Sequence, residues 1–115
     1  MPDISQPLEA IMERVRENFV GKNTAREAAL PLCREAIRLS ANAIRAVHRD
    51  DFATAEQLVA KAGAQLETAR RSLDGHPDIY FAGFVHDAQK EYAEASITLA
   101  LIAGRDFPSP DTLHV

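Results

Sequence analysis

The sequence predicts an all-α protein, an antiparallel bundle of about four helices joined by short loops. Two observations support this fold class. Apolar residues recur at three- and four-residue steps in every long segment, and no segment alternates apolar and polar residues as a half-buried strand does. The breaks between these segments are short and contain glycine, proline or aspartate, which are typical turn residues.

The first predicted helix covers about residues 6–20. Gly21 follows it, and glycine often ends a helix because it adopts left-handed backbone conformations with little strain. The helix is predicted from an apolar stripe at helical spacing, which consists of Leu8, Ile11, Met12, Val15 and Phe19.

The second predicted helix covers about residues 24–49. Thr24 and Glu27 match a capping box, in which the threonine is the N-cap and the glutamate lies three residues later. Pro31 falls inside this segment and is expected to kink the helix, because proline lacks a backbone N–H. The alternative is one long bent helix over residues 6–49.

The second half of the chain predicts two further helices and a tail. Asp50 or Asp51 is expected to cap a helix over about 52–73, since aspartate is a preferred N-cap residue. After a turn, a helix is expected over about 78–103. Residues 105–115 are rich in proline and have no helical period, so they are expected to form a C-terminal tail.

Length and composition limit the class of protein. The chain has 115 residues, which suffices for one domain, and its 46% apolar content is that of a globular protein. The net charge of −4 argues against a generally basic nucleic-acid binder. The single cysteine, Cys33, leaves no disulfide framework and fits a cytoplasmic location. No apolar run is long enough for a membrane span, and the acidic, polar N-terminus does not resemble a signal peptide.

Three carboxylates in the last predicted helix form what we call the acidic line: Asp87, Glu91 and Glu94. At about 100° per residue they fall within about 60° of one another. The rest of this helix is largely apolar, so partial burial of the carboxylates is expected. Their mutual repulsion can be relieved by arginine or lysine from a neighbouring helix, or by Mg²⁺ or Mn²⁺, which prefer oxygen ligands. The alternative is a line that simply faces solvent.

Four arginines in the second predicted helix form what we call the arginine line: Arg34, Arg38, Arg45 and Arg49. They also fall within about 60° on the helix surface. Guanidinium groups bind phosphate oxygens through two parallel hydrogen bonds, so such a line is a candidate nucleic-acid-binding surface. The alternatives are an ordinary solvated face and ion pairing with the acidic line.

Two long stretches of the chain resemble the translin family. They are CREAIRLSANAIRAVHRDDFATAEQLV, from Cys33 to Val59, and HPDIYFAGFVHDAQKEYAEA, from His76 to Ala95. This family includes translin, translin-associated factor X and prokaryotic relatives. The resemblance covers about residues 24–115, in the right order, and is greatest to the prokaryotic members.

The resemblance implies an all-α fold that assembles into a hollow barrel, often an octamer, and binds single-stranded RNA or DNA. Members similar to translin-associated factor X cut RNA with a divalent metal. Two catalytic glutamates of that group lie in a motif that reads KEYAEA here, which implies that Glu91 and Glu94 are catalytic and hold Mg²⁺ or Mn²⁺. Asp87, one turn earlier, is a further candidate for the metal site without comparable support from the family. The arginine line is expected to contact the nucleic acid.

Members of this family continue past the position equivalent to Val115 into a second helical half that supplies further metal ligands. The chain is therefore expected to be an incomplete translin-like domain that binds metal weakly and cuts RNA poorly or not at all. Apolar residues expected to lack partners, among them Leu58, Leu66, Val85 and Leu101, favour a homo-oligomer. The complete protein is expected to be a metal-dependent endoribonuclease. The alternatives are a nucleic-acid-binding module without catalysis and a structural oligomerisation protein.

Overall fold

The structure, a computed structural model, describes residues 2–80 and 82–115. Within these residues the chain forms five α-helices and no β-strand, which confirms the predicted all-α fold class. Three long helices form the bundle, and a one-turn helix follows each of the last two. Their bounds in chain order are α1 Ser5–His48, α2 Phe52–Ser72, α3 Pro77–Tyr80, α4 Gly83–Ala103 and α5 Pro110–Leu113.

Helix α1 runs without interruption for 44 residues, which confirms the alternative of one long helix in place of two. Gly21 keeps a helical backbone and does not end the helix. The capping box at Thr24 is not used, because an N-cap acts only where a helix begins. Pro31 and Glu27 are both exposed. Pro31 has no N–H to donate to the carbonyl of Glu27, four residues earlier. Because both residues are exposed, water can reach this carbonyl.

The other long helices begin and end near the predicted residues. Asp51, rather than Asp50, caps α2: its side chain accepts a hydrogen bond from the backbone N–H of Thr54 at 3.3 Å. Hydrogen bonds from the side chain and the backbone N–H of Thr54 lower the pKa of the Asp51 carboxyl. Helix α4 ends at Gly104, whose φ of +71° is the left-handed conformation expected of a glycine C-cap. The predicted helix 78–103 begins as the separate turn α3, and Ala82 precedes α4 in an extended conformation.

The three long helices pack in an up–down–up arrangement. At one end, Ala29 of α1 lies in a cluster with Ala69 of α2 and Ala88 of α4. At the other end, Val47 of α1 clusters with Leu99, near the end of α4, and with the start of α2. Helix α2 is therefore antiparallel to both neighbours, and α1 is parallel to α4. Most of the contacting residues are alanines, which let helix backbones approach closely.

The first part of α1 extends beyond the bundle. Residues 2–20 are all exposed, and α1 first becomes buried at Ala25. At about 1.5 Å per residue, α1 is about 66 Å long, whereas α2 and α4 each span about half of that. The molecule is accordingly elongated, with dimensions of 76 × 22 × 17 Å.

Most of the apolar residues expected to lack partners are covered by the chain itself. Val85 is buried, and Leu58 and Leu66 are half-buried against the other helices. The expectation was wrong for Val85 because α1 and α4 pack directly together. Leu101 is exposed, as expected. In the part of the chain that the structure describes, no helix combines the length and the apolar character that a membrane span requires.

Candidate nucleic-acid interface and carboxylate site

The arginine line lies on the outer face of α1, opposite the residues that this helix buries. All four side chains are exposed. The buried residues of the same segment include Ala36, Ala43 and Val47, which fall on the other side of the helix. From Arg34 to Arg49 the line extends over about 22 Å of helix. The four guanidinium groups are therefore held on one regular, solvent-facing surface.

Two of the four arginines have side-chain partners on α1. Arg38 donates from Nε to Glu35 at 2.9 Å, and this hydrogen bond lowers the pKa of the Glu35 carboxyl. Arg45 donates to the Oδ1 of Asn42 at 2.7 Å. Both contacts are exposed and join residues three apart, so they are weak and can exchange for a ligand phosphate.

The remaining two arginines are less constrained. Arg49, just past the end of α1, lowers the pKa of the Asp51 carboxyl through its charge, as a lesser cause than Thr54. Among residues 2–80 and 82–115, the structure gives Arg34 no hydrogen bond or ion pair. These two side chains occupy the ends of the arginine line, so both ends present donors to an approaching anion.

The acidic line lies toward the outer face of α4, and the expected partial burial is found for Glu91 but not for Asp87 or Glu94. Asp87 and Glu94 are exposed, and the side chain of Glu91 retains 33% exposure. The reason is that α4 turns Ala88 and Ala95 toward the bundle. Asp87 and Glu94 lie about 80–120° around the helix from these alanines, whereas Glu91 lies about 40–60° from them, at the edge of the buried face. Apolar residues share that outer face, so the apolar character of α4 did not indicate burial on every side.

The acidic and arginine lines do not pair with each other in the described part of the chain. The contact shown for the acidic line is between Lys90 Nζ and Glu91 Oε1, at 4.0 Å, which is the limit for an ion pair. Arg38 pairs with Glu35 of its own helix instead. Mutual ion pairing is therefore not the role of either line within one chain.

The described residues offer a metal ion at the acidic line a small number of carboxylate ligands. Across the described residues, no three His, Cys, Asp or Glu side chains lie close enough to hold an ion together. Glu91 and Glu94 are one turn apart on the same surface. Mg²⁺ is commonly bound through one or two carboxylates together with substrate phosphates and water, and two neighbouring glutamates fit that kind of site. They do not fit a site enclosed by protein ligands.

Cys33 has a structural role. It is buried against α2 and α4, and this burial raises the pKa of its thiol to about 11. A thiol with so high a pKa carries almost no thiolate at neutral pH and is a poor nucleophile. This agrees with its position on the apolar face of α1.

A cavity near the C-terminus was not anticipated from the sequence. It encloses about 400 Å³ between α2, α4 and the C-terminal residues, and Leu113 lies at its wall. The tail reaches this position through α5, whose N-cap Ser109 accepts a hydrogen bond from the backbone N–H of Thr112 at 3.1 Å. A serine followed by Pro110 is a typical helix start, and this signal could have identified the short helix. Arg70, which also lines the cavity, is already paired with Glu67.

Comparisons of the chain with protein-family models, with curated proteins and with solved structures find no match. The resemblance to the translin family therefore remains a prediction that depends on the residues quoted above.

Proposed function

We propose that the protein binds single-stranded RNA or DNA along the arginine line, as a member of the translin family. The observation that carries this proposal is the exposure of three arginines on one face of α1 and of Arg49 at its C-cap. The surface is basic although the whole chain carries a net charge of −4. Affinity is therefore expected to come from this surface and not from the overall charge of the protein.

Arginine suits such a surface for two reasons. Its guanidinium group stays charged at every physiological pH, and its planar array of donors matches two oxygens of one phosphate. The arginine line covers about 22 Å, so a flexible single strand can place several phosphates along it. For single strands, each phosphate neutralised lowers the slope of log K against log salt by about 0.7, so four contacts give a slope of about −3.

A titration of fluorescent single-stranded RNA at several salt concentrations tests this proposal. Arg34→Ala and Arg49→Ala should each weaken binding and make the slope less negative by about 0.7. Arg71→Ala is the matched control, since Arg71 is an exposed arginine on α2 that lies outside the arginine line. If all three variants bind alike, or if the slope does not change, the arginine line is not the binding surface.

We further propose that Glu91 and Glu94 take part in metal-dependent cleavage of the bound RNA. The specific support is the KEYAEA motif, in which Glu94 is exposed and the half-buried Glu91 one turn earlier keeps 33% of its side chain accessible to a substrate. A divalent ion supplied there would activate water and offset phosphate charge. The two carboxylates would hold the ion from one side, and the remaining ligands would come from the substrate, from water or from another polypeptide segment.

Cleavage of single-stranded RNA by the complete protein, with and without Mn²⁺, tests the second part of the proposal. Glu91→Gln should remove most of the cleavage while RNA affinity and helix content stay unchanged. Glu13→Gln, an exposed glutamate on α1, is the control. Broadening of the NMR signals of Glu91 by Mn²⁺ gives a second readout that does not depend on turnover. Cleavage by Glu91→Gln at the original rate would refute the assignment of the acidic line and leave that of the arginine line standing.

A further inference from the structure

The projecting part of α1 carries an apolar stripe that no other part of the described chain covers. Its residues recur at helical spacing and occupy a sector of about 100°. Each is between 51% and 71% exposed. An apolar patch of this extent is unusual on the surface of a monomer and marks an interaction site. The overhang stripe, as we call it, consists of Ile4, Leu8, Ile11, Met12, Val15 and Phe19.

The overhang stripe continues the buried face of α1. Ala29 and Cys33, which are buried against α2 and α4, lie in the same sector of the helix as Ile11 and Val15. Neither α2 nor α4 extends far enough to cover this sector beyond the end of the bundle, where residues 2–20 are exposed. This part of α1 has no packing of its own in the described chain, and because most helical stability in proteins comes from packing of an apolar face, a partner that covers the stripe would stabilise it.

We propose that the overhang stripe pairs in antiparallel fashion with the overhang stripe of a second copy of this chain. The stripe is symmetric in sequence about a point between residues 11 and 12. When a two-fold axis passes through that point, Leu8 of one copy lies opposite Val15 of the other. Ile4 then lies level with Phe19, and at the axis Ile11 packs beside Ile11 of the other copy along one edge of the stripe and Met12 beside Met12 along the other. Every position of the overhang stripe therefore meets an apolar residue of the second copy.

The charges beside the stripe favour the same arrangement. Glu9 and Arg16 lie along one edge of the stripe. In an antiparallel pair related by a two-fold axis, this edge meets the same edge of the second copy. Glu9 of each copy then lies near Arg16 of the other, with an axial offset of about 3 Å. Within one chain Arg16 contacts Glu13 at 3.1 Å, but both side chains are exposed and such a pair exchanges readily.

The area available also fits a dimer. A half-exposed large apolar side chain contributes on the order of 80–100 Å² to an interface, so six give about 500–600 Å² per copy. Two copies together bury just over about 1,000 Å², which is the lower bound for a specific protein–protein interface. The expected dimer is therefore reversible and depends on protein concentration.

Sedimentation equilibrium of the 115-residue chain over a concentration series tests this inference. The mass should rise toward that of two chains, and Ile11→Asp should weaken association by at least about tenfold, because it places a charge at the centre of the interface. Ala10→Asp adds the same charge on the other side of the helix and should leave association unchanged. Circular dichroism confirms that both variants keep the bundle, since neither residue lies in its core.

Two further variants test the orientation. Arg16→Glu should weaken the dimer, and Glu9→Arg combined with Arg16→Glu should restore it. A disulfide should form between copies of Met12→Cys, which lies near the two-fold axis, and not between copies of Phe19→Cys. The inference is overturned by a monomer at high micromolar concentration, or by a dimer that Ile11→Asp leaves intact. Cross-linking at position 19 instead of position 12 would overturn the antiparallel arrangement.

Discussion

Gly63 faces Tyr92 where α2 meets α4, and this contact allows a sharp test of the packing. A Cβ added at Gly63 would lie 2.8 Å from the Tyr92 hydroxyl oxygen and 3.1 Å from the ring carbon that bears it. Real Cβ atoms do not approach other atoms so closely, so Tyr92 or α2 must move. Tyr92 is half-buried among Ala36, Leu39 and Ala62, which limits its movement.

The net effect of Gly63→Ala is the difference between two terms. Replacing glycine by alanine inside a helix stabilises it by about 1 kcal/mol. Overpacking of a well-filled contact costs about 1–3 kcal/mol. We therefore expect Gly63→Ala to destabilise the protein by up to about 2 kcal/mol. For a domain of this length, each kcal/mol lowers the Tm by roughly 4–8 °C.

Thermal and urea unfolding, followed by circular dichroism at one fixed protein concentration, measure this effect. Gly83→Ala is the matched control, since a Cβ there meets no atom within 4 Å. It should stabilise the protein by about 0.4–1 kcal/mol. Tyr92→Phe removes the closest contact, so Gly63→Ala should be less harmful in that background by at least about 0.5 kcal/mol. If Gly63→Ala stabilises the protein as much as Gly83→Ala does, the close packing of α2 on α4 is refuted.

Two further predictions concern residues of α1. Pro31→Ala should stabilise the protein by about 1–3 kcal/mol in urea unfolding, because it restores a missing backbone donor within a continuous helix; a loss of stability would show that the proline is required. The pKa of Cys33 is raised by burial to about 11 from an ordinary value of 9.0. The contribution of this thiol to stability should therefore be complete below pH 9 and be lost as the pH rises toward 11. At pH 8 a thiol reagent should label Cys33 slowly in the native protein and quickly in urea, and equal rates would contradict its burial.

The sequence predicted the long helices well and left open whether residues 6–49 form one helix or two. Gly21 and the capping box at Thr24 are local signals that a helix stops and starts. The apolar periodicity, in contrast, runs from the overhang stripe to Ala29 and Cys33 without a change of phase. The continuous periodicity predicted the single helix correctly. Glycine ends a helix by adopting a left-handed backbone conformation, and Gly21 keeps a helical one.

For the candidate site, the sequence predicted which residues share a face and not which face is covered. The angular positions of the acidic and arginine lines follow from helix geometry alone. Burial depends on where the neighbouring helices lie, and apolar residues such as Ile97 and Leu101 remain on the outer face of α4. Of the three carboxylates expected to be partly buried, Glu91 is half-buried and Asp87 and Glu94 are for this reason exposed.

The alanine-rich contacts between the helices make the protein unequally tolerant of mutation. Within the described residues, eleven of the eighteen buried apolar side chains are alanine, so the usual change from a large to a small core residue is rarely available. Most substitutions at these buried alanines instead enlarge the side chain. A valine at Ala43, Ala62 or Ala95 has no cavity to enter and must push two helices apart. Selection on this core therefore acts chiefly against added volume, and sequence drift should concentrate on the outer faces of the helices.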